Sequence, residues 1–243
     1  MQFTVEYLEC ALLVFVRITS VIMVAPFFSI PSIPRKVKVG LAVFLSMIVF
    51  HLVDYTSVSY VGIIGYSALV VQEAITGLLL GIASGFCLHI LTFSGHMIDM
   101  EIGFSMAMEM DPTTHIQSTI TANLFNGLFL ILFLVSDMHY FIIDAIYDSY
   151  QLIPIGGASI QGNLLEVFLI YMADYFTIGF RIILPVFSCI LVINVILGIL
   201  AKIAPQMNMF VIGMQLKVFV GLFLLFMMMY LLPNITDFIF EEM

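Results

Sequence analysis

Long apolar runs separated by short polar stretches account for most of this sequence. The apolar segments cover residues 8–28, 39–53, 61–93, 123–135, 141–146, 164–180, 182–200 and 209–232. A run of about 20 apolar residues is long enough to cross the hydrocarbon core of a bilayer as a helix. Almost no stretch has the pattern of a β-strand. The pattern therefore predicts an all-α fold of membrane-embedded helices.

Several of these segments do not match the thickness of a bilayer. Segments 39–53 and 123–135 are short enough to be re-entrant or protein-buried helices, whereas 61–93 is long enough to overrun the membrane. The positive-inside rule assigns the basic stretch 35–38 and Lys202 to the cytoplasm, yet the longest polar stretch, 94–118, has no Lys or Arg. We therefore expect broken helices surrounded by other protein rather than a simple series of spans.

Prolines and polar residues mark the expected breaks between helices. Prolines at positions 26, 31 and 34 separate the first two segments. Asp111 and Pro112 predict a helix start, with Asp111 at the N-cap and Pro112 as the first helical residue. Residues 54–59 are expected to form a polar turn, and 153–162, with one proline and three glycines, a loop.

Composition places the chain in a membrane. Of 243 residues, 63% are hydrophobic and 9% charged, and the mean hydropathy is +1.18, whereas soluble domains carry about 25% charged residues. No linker-like stretch divides the chain, so we expect a single domain over residues 1–243. Glu6 and Glu9 precede the apolar stretch 11–28 in place of a basic region, and no A-x-A site follows it. This pattern predicts a retained first helix rather than a signal peptide.

Charge and cysteine usage exclude two further classes of protein. The net charge is −9 and the chain has only seven Lys and Arg, which is not the footprint of a nucleic-acid-binding protein. The three cysteines are isolated in apolar segments and form neither a disulfide framework nor a CxxC motif. We interpret them as small apolar residues.

A short polar turn lies between the last two long apolar segments, 182–200 and 209–232. It contains Pro205, which ends a helix, and the amides of Gln206 and Asn208. Two interpretations of this turn stay open from its residues alone. It is either a positioned polar contact or an ordinary connection within a helical hairpin.

Glu73, Gly77, Gly81 and Gly85 recur at every fourth position and lie along one helix face. Glycines at this spacing permit close helix–helix approach, either within the chain or between subunits. A carboxylate in an apolar helix is costly unless it is paired, and the candidate partners by charge are Arg17 and Arg181. We expect a structural ion pair with a buried arginine, and a proton-relay role for Glu73 is the alternative.

The stretch 95–112 combines small, acidic and flexible residues. Gly95, Asp99 and Gly103 again step by four. Its methionines have unbranched, polarizable side chains that fill irregular gaps and repack easily; they are Met97, Met100, Met106, Met108 and Met110. These residues suit either a deformable seal beside Gly103 or an ordinary core.

Enzyme chemistry finds little support in the residues. The histidines show no HExxH or other metal-ligand spacing, and no phosphate-binding glycine loop is present. Asp99 with Asp111, or Ser105 with a nearby histidine, lacks a third group or an oxyanion donor. We therefore predict a protein that is not an enzyme and that uses no metal or cofactor.

Four groups of residues, in order along the chain, resemble those of the FliR family of flagellar export components, which shares a superfamily with the SctT subunits of injectisomes. They are Arg17 with the proline-containing and basic stretch 26–38, Glu73 with Gly77 and Gly81, the stretch 95–112, and the stretch 198–217. One departure is Lys202, where many relatives carry arginine, and lysine cannot form the same bidentate contact.

The resemblance implies a function and a set of partners. Such proteins assemble with FliP and FliQ into an export gate in the bacterial cytoplasmic membrane, at the flagellar basal body, beside FlhB and FlhA, and pass unfolded proteins. It implies bent or kinked helical hairpins shielded by neighbouring subunits. It also implies that a loop helps to plug the closed channel, with Gly103, Phe104, Met106, Met108, Met110, Asp111 and Pro112 as its candidate residues.

Three alternatives stay open beside the flagellar one. The resemblance includes injectisome export subunits as an alternative, although the overall pattern favours a flagellar one. A secondary transporter would use intramembrane charges such as Glu73 and Arg17, although related halves are not found in the sequence. An intramembrane hydrolase would depend on Asp99, Asp111 or Ser105.

Overall fold

The fold is that of a computed structural model, which describes residues 5–28, 33–53, 58, 60–104, 109–110, 117–157 and 164–242. Seven helices and two short strands make up this part of the chain. In chain order they are α1 (Val5–Val24), α2 (Arg35–Leu52), α3 (Gly62–Ile102), β1 (Glu109–Met110), β2 (Gln117–Ser118), α4 (Ile120–Val135), α5 (Met138–Leu152), α6 (Leu164–Ile203) and α7 (Met209–Glu242). The predicted all-α class is confirmed, because the strands are a single pair of two-residue segments.

Two predicted segments belong to one helix, which corrects the sequence-based division at Arg181. Segments 164–180 and 182–200 form α6 without a break, although it contains Pro185. A single arginine lowers the local hydropathy but leaves the backbone hydrogen bonds intact. An internal proline removes one backbone donor, a loss that membrane helices tolerate.

Three helices extend into polar residues beyond the ends of the apolar segments that predicted them. Helix α3 continues through the polar residues after position 93 and ends before Gly103, whose φ of +98° is unfavourable for other residues. Helices α5 and α7 likewise extend beyond the predicted segments 141–146 and 209–232. The helix start predicted at Asp111 and Pro112 lies outside the described residues, and the next described helix begins at Ile120.

The described helices fall into two compact units, each built from two separate stretches of chain. The first consists of Met1–Phe86 and Leu134–Leu169, and the second of Cys87–Phe133 and Ile170–Met243. Helix α3 contributes to both. The single domain expected over residues 1–243 stays a prediction.

The first unit is centred on α1. One face of this helix is fully buried through Leu13, Val14 and Ile18, and α1 packs against α2, where the rings of Tyr7 and Phe50 meet edge to face at 4.8 Å. The start of α3 is tied to α1 as well. The Tyr60 hydroxyl donates to the Glu9 carboxylate at 2.5 Å, and this hydrogen bond raises the pKa of the Tyr60 phenol because it holds the protonated form beside a negative charge.

The second unit has an aromatic stripe on α4 as part of its core. Phe125, Phe129 and Phe133 recur at every fourth position and are buried. The Ser94 hydroxyl of α3 donates to the carbonyl of Gly179 on α6 at 3.2 Å. The hydrogen bond joins α3 to α6, and the phenylalanines of α4 contribute apolar side chains to the same core.

The described part of the chain contains four helices that are long and apolar enough to cross a membrane. They are Val5–Val24, Gly62–Ile102, Glu166–Ile203 and Met209–Tyr230, and α4 with α5 would make a fifth span if the pair crosses as one broken segment. Large apolar side chains remain exposed on α7, with Phe219 75% and Phe226 74% exposed. These features describe a multi-pass membrane protein.

Candidate functional site

An arginine–glutamate pair lies at the centre of the first unit, and both side chains are fully buried. Nε of Arg17 on α1 donates to Oε2 of Glu73 on α3 at 2.5 Å, and Nη2 donates to Oε1 at 3.0 Å. Two parallel N–H···O bonds are the bidentate geometry that joins guanidinium and carboxylate most strongly. Of the two arginines considered as partners for Glu73, the structure pairs it with Arg17.

The remaining donors of Arg17 reach the C-terminal end of α5. Nη1 donates to the carbonyl oxygens of Ser149 at 3.3 Å and Ile153 at 3.1 Å. In return, Glu73 Oε1 accepts from the N–H of Gly156 at 2.8 Å, in the turn after α5. The Ser149 carbonyl also accepts the Ile153 N–H at 2.9 Å. Carbonyls at a helix end carry partial negative charge, so the guanidinium stabilises this end of α5. The pair therefore joins α1, α3 and α5.

Tyr150 completes this network, and the sequence did not single it out. The guanidinium carbon of Arg17 lies 4.1 Å from the centre of the Tyr150 ring, a cation–π contact. The Tyr150 hydroxyl donates to the carbonyl of Val14 on α1 at 3.2 Å. The one available signal was that Arg17 has five N–H donors, more than a single carboxylate accepts. That signal predicts further acceptors without saying where they lie.

The glycine face of α3 contacts α1 of the same chain. A Cβ atom added at Gly77 would meet the Arg17 carbonyl and lie 2.9 Å from Ser20 Cβ. At Gly81 it would lie 3.0 Å from Val24 Cβ, and at Gly85 3.2 Å from the Val24 carbonyl oxygen. The two backbones approach closely because these positions have no side chain. Of the two seams considered, this one lies within the chain.

Arg181 is exposed on α6, so the chain does not itself bury this charge as the sequence suggested. Helix α6 packs through residues such as Ile178 and Ile182, which are 6% and 4% exposed. Arg181 lies outside this buried face of the helix. Apolar flanking sequence therefore did not distinguish a buried face from an exposed one.

The predicted loop residues lie in and around the connection from α3 to α4. Gly103 ends α3, its N–H donates to the Asp99 carbonyl at 3.0 Å, and Phe104 follows it. Met110 pairs with Gln117 in the antiparallel β1–β2 ladder. Met106, Met108, Asp111 and Pro112 lie outside the described residues.

A cleft of about 360 Å³, lined mostly by apolar side chains, lies beside Gly103 in the second unit. Its lining includes Glu101 from the last turn of α3, Asn194 from α6 and Lys217 from α7. Charged side chains within apolar membrane helices usually face protein or water rather than lipid. The cleft provides such a position for Lys217.

The polar turn between α6 and α7 covers positions 204–208. The backbone N–H of Phe210 donates to Asn208 Oδ1 at 3.2 Å, so Asn208 caps α7. Pro205, Gln206 and Asn208 are exposed in the single chain, as is Lys202. The turn therefore has a defined local role at Asn208, and its exposed groups face outward from the second unit.

Among the described residues, no group of three or more His, Cys, Asp or Glu side chains is placed to hold a metal ion. Asp99, once considered as half of an aspartyl pair, is fully buried and binds Thr121 through both carboxylate oxygens. Asp111 and Ser105 lie outside the described residues. The prediction that the chain is not an enzyme stays a prediction.

Comparison with known proteins gives a consistent result over almost the whole chain. Residues 8–243 match the family model for bacterial export proteins, family 1. The chain is 31% identical over 228 residues to the flagellar biosynthetic protein FliR of Escherichia coli (strain K12), covering 93% of this chain and 86% of the relative. It is 30% identical over 234 residues to that of Bacillus subtilis (strain 168), covering 94% and 89%.

Replacing Gly77 by alanine should destabilise the chain, because the new methyl group would overlap the backbone of α1. Overpacking of this kind costs about 1–3 kcal/mol. Gly40→Ala in α2 is the matched control, since a Cβ there has nothing within 4 Å and alanine favours a helix. The measurement is the thermal unfolding midpoint of the purified chain in detergent. Equal midpoints for the two variants would contradict the close contact.

Removing one charge of the buried pair should destabilise the fold more than the removal of a second charge adds. Arg17→Met and Glu73→Leu each leave one charge buried alone, a loss of about 3–5 kcal/mol. The double variant should lose less than the sum of the two, and the same unfolding measurement gives the coupling energy. Arg35→Met removes an exposed arginine from the same unit and serves as control. Additive losses would show that the pair contributes no coupling.

Proposed function

We propose that this chain, which belongs to the bacterial export proteins, family 1, is a structural subunit of the flagellar protein export gate. The observation that carries the proposal is the family match over residues 8–243. The relatives from Escherichia coli and Bacillus subtilis are both named flagellar biosynthetic proteins, which favours a flagellar over an injectisome role.

The proposed assembly unites this chain with FliP and FliQ subunits in the cytoplasmic membrane, at the flagellar basal body, beside FlhB and FlhA. The large apolar side chains exposed on α6 and α7 support it, because a gate subunit covers such faces with other subunits or with lipid. A helix such as α4, with 16 residues, is also shorter than a membrane span and gains from neighbours.

We infer a passive gate as the mechanism. Unfolded protein substrates pass through the channel while Phe104, Met106, Met108 and Met110 part and then close again around them. Methionine side chains suit this task because they are flexible and fill irregular gaps. The energy for transport comes from the proton motive force and an ATPase elsewhere in the machine.

The transporter alternative loses its main support in the first unit. Arg17 and Glu73 bind each other and the end of α5, so these charges serve packing in the described structure. A transporter substrate would have to displace contacts that hold three helices together. A structural role explains the same residues with no ligand.

Deleting Gly103–Met110 should make the membrane leak ions, because the segment proposed to seal the closed channel is lost. Ion leakage and secretion of flagellar proteins are measured in cells that carry the variant in place of the native chain. Expected results are raised leakage with the assembled complex still present. A membrane as tight as that of native cells would rule out the plug.

Cells that lack the chain altogether provide the control. They should secrete no flagellar proteins and show no added leakage, because no channel assembles. Affinity purification through a tagged FliP should recover this chain from native cells. Normal secretion without the chain would overturn the export function itself.

Replacing both Gln206 and Asn208 by alanine should weaken assembly of the complex rather than leave an assembled, closed gate. The change removes the cap of α7, worth about 1 kcal/mol, and two amides that face outward. The amount of chain recovered with tagged FliP is the measurement. Asn208→Ser keeps a capping oxygen and should retain more assembly; equal recovery of native and double variant would argue against this role.

A further inference from the structure

Asp99 is a buried carboxylate that contacts both ends of the segment between α3 and α4. Its backbone carbonyl accepts from the Gly103 N–H at 3.0 Å, at the end of α3. Its side chain accepts from Thr121 in the first turn of α4, through Oδ2 from the backbone N–H at 2.8 Å and through Oδ1 from the hydroxyl. One residue therefore connects the last turn of α3 to the first turn of α4.

The Asp99 carboxylate performs the task of a local helix cap. Thr119 occupies the N-cap position of α4, since its carbonyl accepts from the Asn123 N–H at 3.0 Å. An N-cap threonine usually accepts a backbone N–H two or three residues later through its own hydroxyl. Here the Thr119 hydroxyl is buried without a partner in the described structure, and Asp99 accepts the Thr121 N–H instead. The carboxylate also lies at the positive end of the α4 dipole.

The two helix backbones touch one turn before Asp99. A Cβ added at Gly95 would lie 2.5 Å from the Cα of Ala122. The side-chain amide of Asn126 donates to the Thr92 hydroxyl at 3.0 Å farther along. The contact surface of α3 and α4 is therefore continuous, and Asp99 lies at the edge where the connecting segment begins and ends.

We propose that Asp99 is a positioning residue for the gate: its carboxylate fixes the start of α4 against the end of α3 and so keeps the two ends of segment 103–119 together in the sealed channel. The inference rests on the proposed gate function, and it assigns a positioning role to a residue outside the proposed plug residues 103–112. Both side-chain bonds go to a single residue, so loss of the Thr121 contacts frees the start of α4 while leaving the Asp99 carbonyl bond to Gly103.

The test uses the full chain assembled with its partner subunits in cell membranes. Asp99→Leu removes both side-chain bonds, and Thr121→Val removes only the hydroxyl bond. Thr121→Ser restores a hydroxyl and should rescue the effect of valine. Ser94→Ala is the matched control, because it removes a different buried hydrogen bond from the same helix. Ion leakage is measured together with hydrogen exchange at the backbone amides of 120–123.

Asp99→Leu should raise leakage and speed exchange at 120–123 by roughly tenfold. Thr121→Val should have a smaller effect in the same direction because its backbone bond to Asp99 remains, and Ser94→Ala should leave both near native values. If membranes with Asp99→Leu or Thr121→Val leak no more ions than native membranes, the inference is overturned. This holds even if less of the variant chain accumulates, because Asp99 would then affect only the stability of the chain. If those variants are tight while the Gly103–Met110 deletion leaks, only the inference fails. If the deletion is also tight, the plug function fails with it.

Discussion

The bidentate pair between Arg17 and Glu73 is the interaction on which the first unit depends. A charge buried in an apolar chain is tolerated only when its hydrogen-bonding capacity is used. The guanidinium satisfies this condition with the carboxylate and two carbonyls at the end of α5, and the carboxylate also accepts the Gly156 N–H. The positions of three helices are therefore mutually dependent. A shift of α1 or α3 would separate the paired charges, and a shift of α5 would remove two carbonyl acceptors from the guanidinium.

Residues at every fourth position of α3 have distinct roles along its length. In the first unit, Glu73 carries the charge, and Gly77 and Gly81 let the backbone of α1 approach. In the second unit, Gly95 admits the backbone of α4, Asp99 caps α4 and Gly103 ends the helix. The same periodicity places these residues on one helix face in each unit, but their roles depend on the helix packed against that face, α1 in the first unit and α4 in the second.

Rigid contacts around a deformable seal are what a passive export gate requires. The family assignment makes the chain a bacterial export protein, and the buried polar contacts of the described residues are used to hold helices. The proposed seal residues, by contrast, are methionines and a phenylalanine, residue types that pack without specific polar partners. Packing of that kind reforms after disturbance without a fixed set of partners.

The sequence by itself determined the membrane class, the positions of most helices and the family, because apolar length and ordered motifs are properties of the chain alone. It identified Glu73 and two possible arginine partners, but only the tertiary structure chose Arg17 and left Arg181 exposed. Tyr150, the end of α5 and Thr121 were also found only in the fold. They are distant along the chain, and no local pattern records which helix ends will meet a buried charge.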